Sequence, residues 1–182
     1  MIMTNKALSL LVIVMVSASM ACSSGSDDPH ADVDQAGIQN YARQSMSILE
    51  AVSNERKQML KTIEQSVSAG ENNELQYDQS KALPAIERMR AQLDRSQKEF
   101  EAMTIPKGTA TFPDGVKRYF DAERSFLDDV SKFFTSDSGE GDRDTWIALM
   151  QKPQLLSYQS AQLYRAALTA TGEPHNANRS PQ

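Results

Sequence analysis

Ile38–Ser66 reads IQNYARQSMSILEAVSNERKQMLKTIEQS. Ile38, Ala42, Ser45, Leu49, Val52, Arg56, Met59, Ile63 and Ser66 follow one another by steps of four and three, which keeps them on one face of an α-helix. Tyr41, Met46, Leu60 and Val67 widen that stripe, whereas Ser45, Arg56 and Ser66 interrupt it with polar groups. A helix this long with one apolar face must bury that face against something. Gly70 then stands where a C-cap glycine belongs, ahead of the polar loop Glu71-Asn72-Asn73.

The rest of the chain repeats the pattern. A second helix is expected from about Glu74 to Met103, with Leu75, Leu83, Ile86, Met89/Arg90, Leu93, Phe100 and Met103 inward. Pro84 should kink it or mark its start, and Ile105-Pro106-Lys107-Gly108 stops it. Thr111-Phe112-Pro113-Asp114 suits the opening of a third, with Thr111 as cap and Pro113 and Asp114 in the first turn. Its apolar face is Phe112, Val116, Tyr119/Phe120, Phe126/Leu127, Val130 and Phe133/Phe134. Lys117–Asp121, Arg124–Asp128 and Asp128–Lys132 are spaced to pair along the exposed side. After the break at Ser136–Gly141, Asp142 caps a fourth helix reaching about Thr171, interrupted at Pro153. Trp146/Ile147, Met150, Tyr158, Ala161, Tyr164 and Leu168 are its expected inward residues. There is no strand-like alternation of useful length. The fold expected is therefore all-α, an antiparallel up-down four-helix bundle over residues 37–171, with an elongated three-helix or coiled-coil arrangement as the alternative.

The ends differ from the middle. Residues 1–21, MIMTNKALSLLVIVMVSASMA, combine a positive Lys6, the apolar run Ala7–Val16 and a small-residue stretch. That is the layout of a secretory signal peptide. The run is too short to span a bilayer, which takes about 20 residues. It leads into Cys22, the single cysteine of the chain, so no internal disulfide supports the fold. Cys22–Gln35, CSSGSDDPHADVDQ, has almost nothing apolar to bury, and residues 22–36 are expected to be a disordered tether. Residues 172–182 make a polar tail.

Ser19-Met20-Ala21-Cys22 resembles the lipobox of bacterial lipoproteins. Ala21 and Cys22 match that pattern; Ser19 stands where an aliphatic residue is usual, and Met20 is larger than its usual counterpart. The resemblance covers residues 1–22 and implies cleavage between Ala21 and Cys22 with diacylation of Cys22. It implies a lipid-anchored place in the cell envelope. Where the host has two membranes, Ser23 implies sorting to the outer membrane, facing the periplasm. Ser19 and Ala21 equally satisfy an ordinary signal peptidase, which would leave the chain secreted without lipid.

Chemistry is sparse. The two histidines, His30 and His175, fall outside the expected bundle, which argues against a histidine-dependent catalytic triad or zinc cage inside it. Glu-x-x-His, Cys-x-x-Cys-His and glycine-rich phosphate-loop patterns do not occur, so no cofactor and no enzymatic activity are expected. A net charge of −5 without a basic stripe gives no reason to bind nucleic acid. Asp121, Glu123, Asp128 and Asp129 crowd the third helix; a solvated charged face explains them better than a metal site. Arg56, inside the apolar stripe, reads as a snorkelling or salt-bridged side chain.

The aromatics concentrate in the third and fourth helices. Tyr119/Phe120 and Phe133/Phe134 are adjacent pairs, so one member of each is expected to turn partly outward. With Trp146 they form the candidate ligand or partner surface. Core packing is the blander reading of the same residues. Function narrows to a non-catalytic binding or scaffolding module docking another envelope protein, or to a carrier or sensor holding an apolar ligand or metal between helices. Oligomerisation through the long first helix is a third possibility.

Overall fold

In the computed structural model the opening stripe forms helix α1, Gln35–Ser66, and turns inward Tyr41, Ala42, Ser45, Ile48, Leu49, Val52, Arg56, Met59, Ile63 and Ser66. Helices α2 (Gln79–Glu101), α3 (Thr111–Phe134) and α4 (Arg143–Thr171) complete a four-helix bundle. The structure describes residues 35–70, 74–107, 109, 111–135 and 140–171. The signal segment, Cys22, the tether before Gln35 and the tail 172–182 lie outside them. All described residues belong to one unit, Asp32–Gln182.

Helix α1 packs on α2 and α4, and α3 packs on the same two. Ring contacts fix the directions. Tyr41, near the start of α1, meets Phe100 at the end of α2 and Phe112 at the start of α3. Phe133 and Phe134, closing α3, meet Trp146 at the start of α4. The amide of Gln35 reaches the carbonyl of Ala170 at 3.5 Å, so α1 and α4 are antiparallel too. This is the up-down order that short connections favour.

Between the helices lies a small sheet that the sequence reading did not foresee. Strands β1 (Val67–Ala69), β2 (Glu74–Tyr77) and β3 (Glu140–Asp142) pair antiparallel in that order. Each is three or four residues long, too short for alternation to emerge from the sequence. Helix α1 therefore stops at Ser66, and Gly70 serves the β1–β2 hairpin instead of a helix cap. Its amide donates to the Glu74 carbonyl at 2.9 Å, and a Cβ there would lie 3.2 Å from that oxygen.

The sheet also delays α2. Leu75 is buried from β2, and Asp78 is the N-cap, accepting from the Ser80 amide at 3.1 Å. Both interior prolines are carried without ending their helices: Pro84 is the sixth residue of α2, and Pro153 is buried within α4. Asp142 caps α4 as expected, accepting from the Thr145 amide and hydroxyl, each at 2.8 Å, and those bonds lower its carboxyl pKa.

Charges on α3 reach across to neighbouring helices. Arg124 pairs with Asp94 of α2 at 2.9 Å, Asp128 with Arg90 at 2.8 Å, and Asp129 with Lys152 of α4 at 2.6 Å. The expected Arg124–Asp128 pairing along α3 is thus replaced by inter-helix bridges.

Candidate functional site

Helix α4 is built unlike its partners. It carries four charged residues in 29, Arg143, Asp144, Lys152 and Arg165, where α2 carries nine in 23. Trp146, Leu149, Pro153, Leu156, Leu163 and Ala167 face the bundle at heptad-like spacing. That phase differs from the expected one. Of the residues anticipated inward, Trp146 and Met150 are partly covered and Leu168 is intermediate, but Ile147, Tyr158, Ala161 and Tyr164 are exposed. The helix has apolar residues on two sides, so periodicity alone allows two phases, and the neighbouring helices cover the other one.

The outer side thus shows Ile147 (48 % exposed), Leu155 (58 %) and Tyr158 (61 %) to solvent, and Tyr164 (42 %) is exposed at its flank. Ala148 and Ala161 lie on the same side with Gln151, Gln154 and Gln162. Two depressions border this face. One of about 480 Å³ is formed by Ala69, Gly70, Glu74 and Leu75 of the sheet against Arg143, Trp146 and Ile147. The other, about 270 Å³, lies between α3 and α4, lined by Gly115, Arg118, Tyr119, Tyr158, Gln159, Gln162 and Leu163.

Beneath the second depression is a buried polar cluster. Arg56 and Glu123 form an ion pair with side chains 1 % and 0 % exposed. The Arg56 guanidinium also donates to the Tyr119 hydroxyl at 3.1 Å and to the Ser157 hydroxyl at 3.0 Å. Helices α1, α3 and α4 are tied together at this point. Burial raises the Glu123 carboxyl pKa despite the opposing pull of Arg56 and of a hydrogen bond from Tyr119. Burial likewise raises the Tyr119 hydroxyl, with the Glu123 charge adding to it. The second carboxyl oxygen, Glu123 Oε2, is buried with no hydrogen-bond partner among the described residues.

These contacts settle where the sequence-derived candidates sit. Arg56 is salt-bridged, one of its two expected states. Glu123 is no part of a solvated face, since the α1 stripe delivers a cation to it. Among the described residues no three His, Cys, Asp or Glu side chains gather as a metal site would require. The proposed aromatic surface is corrected: Tyr119, Phe120, Phe133 and Phe134 are all buried. Adjacent aromatics lie about 100° apart on a helix, and α3 packs on both α2 and α4, so both members of each pair find cover. Phe133 and Phe134 stack with Tyr77 and Trp146, and Phe120 with Phe100. Trp146 keeps a partly open edge on the larger depression, and Tyr119 contributes to the smaller one.

The sequence reading missed the outer face of α4 as a surface. Its signal was present: Leu149, Leu156 and Leu163 recur every seven residues and mark the buried side. Comparison with protein-family models, with curated proteins and with solved structures returned no match.

Proposed function

We propose that this chain is a bacterial lipoprotein, lipid-anchored to the cell envelope through Cys22, whose helical bundle is a non-catalytic module that binds another protein. The observation that carries the binding reading is the outer side of α4, where Ile147, Leu155 and Tyr158 are exposed on a helix with four charged residues in 29. Depletion of charge together with exposed aromatic and aliphatic side chains is the composition of an interface core. The anchor rests on Ala21-Cys22 following an apolar run in residues 1–22. Two acyl chains suffice for stable attachment. Among the described residues no helix is long and apolar enough to cross a membrane. In a host with two membranes, Ser23 favours the outer one, facing the periplasm.

Mass spectrometry of the protein extracted from its host's membranes, beside Cys22→Ser, tests the anchor. The expected mass begins at Cys22 and carries acyl groups that the variant lacks; an unmodified chain beginning at Cys22 means ordinary secretion and refutes the anchor. Capture of a saturable partner, lost on Leu155→Glu, supports the module; turnover of an envelope substrate by the purified protein refutes it.

The larger depression favours a second reading, a carrier of a small apolar ligand. Its volume of about 480 Å³ falls within the size range of small-molecule sites, and Trp146 is on its wall. Saturable quenching or blue shift of the Trp146 fluorescence by an alkyl or aromatic ligand is the expected sign; a spectrum unchanged by such ligands removes this reading.

A further inference from the structure

The smaller depression, between α3 and α4, has a use in neither reading above. Its volume of about 270 Å³ leaves room for one residue of a ligand rather than a drug-sized molecule. Among its lining residues only Arg118 is charged. That side chain is exposed and makes no ion pair or hydrogen bond among the described residues. Asp114 and Asp121 stand within one turn of it on α3, and neither bridges to it. From α4 come the carboxamides of Gln159 and Gln162. Gln159 Oε1 is buried and accepts no hydrogen bond among the described residues. A buried acceptor without a donor rewards whatever brings it one, and terminal amide torsions are soft enough to turn toward it. Tyr119 also lines the cleft, but its hydroxyl is already engaged by Arg56 at 3.1 Å. Tyr158 and Leu163 add apolar surface, and Gly115 puts no side chain on the α3 wall.

These groups specify a ligand. A planar guanidinium pairs with a carboxylate through two parallel hydrogen bonds. One cation beside two neutral amides balances the single charge of a carboxylate, not the two of a phosphate. Gln159 calls for an N–H close by. No acid lines the cleft to balance an ammonium, so the donor that fits is a neutral amide N–H and not a free amine. Tyr158 and Leu163 favour an apolar side chain. A carboxylate, an amide N–H and an apolar side chain on one carbon make the last residue of a peptide.

We infer that the α3–α4 cleft binds the carboxyl-terminal residue of a peptide, Arg118 holding its carboxylate and Gln159 accepting from its amide N–H. The inference does not rest on the docking of a partner at Ile147 and Leu155, neither of which lines the cleft.

Saturation-transfer NMR of N-acetyl-Ala-Leu titrated onto the protein extracted from its host's membranes tests it. Saturable binding is expected, weakened about tenfold or more when the peptide ends in a carboxamide. Arg118→Gln should weaken the free acid as much and leave the carboxamide unchanged. Gln159→Leu should weaken the free acid several-fold, and free leucine should bind several-fold more weakly than the peptide. Arg118 makes no contact that the fold uses, and circular dichroism of both variants checks that they fold. Absence of saturable binding, equal affinity for acid and carboxamide, or indifference to Arg118→Gln overturns the inference. Free leucine or inorganic phosphate binding as tightly as the peptide would make this a site for amino acids or for anions at large, and overturns it too.

Discussion

Arg56→Met would expose how much the bundle depends on its buried ion pair. The substitution keeps most of the side chain's apolar volume and deletes the guanidinium, which makes three kinds of bond: to Glu123, to Tyr119 and to Ser157. A hydrogen bond to a charged partner contributes about 1.5–3 kcal/mol and each hydroxyl bond about 1 kcal/mol. The larger consequence is a carboxylate with no counter-charge at a site 0 % exposed. Breaking a buried pair in this way costs about 3–5 kcal/mol, a large share of a domain's whole stability. For a chain of this size that lowers Tm by roughly 10 °C. The cost should shrink as pH falls, because Glu123 escapes the penalty by taking up a proton. Adding Glu123→Leu removes the orphan charge but strands the Tyr119 hydroxyl, at about 1–3 kcal/mol. Adding Tyr119→Phe as well should return stability to within about 1 kcal/mol of the unsubstituted protein. Urea unfolding at constant m, run as a double- and triple-mutant cycle, reads these terms. If Arg56→Met costs less than about 1 kcal/mol, or its cost simply adds to that of Glu123→Leu, the pair is not coupled and the reasoning fails.

Glu123→Gln tests the carboxyl's proton affinity. Its folded pKa is raised above 4.5, so the stability it contributes is present below pH 4.5 and lost as pH climbs through the folded value. The variant cannot ionise, so its stability deficit relative to the unsubstituted protein should narrow as pH rises through that window; a gap constant with pH contradicts the assignment. Tyr41→Phe removes a buried hydroxyl without a hydrogen-bond partner among the described residues, and should leave stability unchanged or raise it by up to about 1 kcal/mol. Burial pushes the Tyr41 hydroxyl up to about 12, so its contribution is lost as pH rises from 10 through 12, and thermal melts across that range should favour the variant increasingly. Leu127→Ala opens a cavity at a fully buried position between helices and should cost about 2–5 kcal/mol in urea unfolding; a smaller loss would mean this part of the core is loosely packed.

What the sequence made legible follows from how each helix is patterned. In α1 one stripe is apolar and the opposite side charged, so periodicity identifies the buried face, and in α3 it identifies the apolar residues but not the width of the covered side. Residues 38–66 and 111–134 were read accordingly, including the placement of Arg56 in the stripe. The partner of Arg56 was out of reach, because Glu123 lies 67 residues away and its neighbours on α3 include other acids. Where two apolar phases compete, as in α4, local pattern cannot choose between them; the neighbours do. The sheet escaped because strands of three or four residues carry too few positions to establish a period. Adjacent aromatics misled for a related reason: the inference that one of two must face out holds for a helix with one covered side, and α3 has two.

The choice between the two phases of α4 is where the buried cluster and the exposed face become one device. Either stripe holds enough apolar side chains to be buried, so hydrophobic gain alone separates them weakly. Polar and steric contacts add the difference. Arg56 reaches Ser157 only with the Leu149–Leu156–Leu163 side inward, and Lys152 meets Asp129 in the same rotation. Gly115 contributes by omission, since a Cβ there would lie 3.0 Å from Leu163 Cδ2. Rotating α4 by one residue would trade these contacts for Tyr158 and Tyr164 facing the bundle, leaving the Arg56 guanidinium without its hydrogen bond to Ser157. An ion pair that adds little net stability over an apolar substitute can therefore still specify which side of α4 is buried. Its specificity is what keeps Ile147, Leu155 and Tyr158 on the surface.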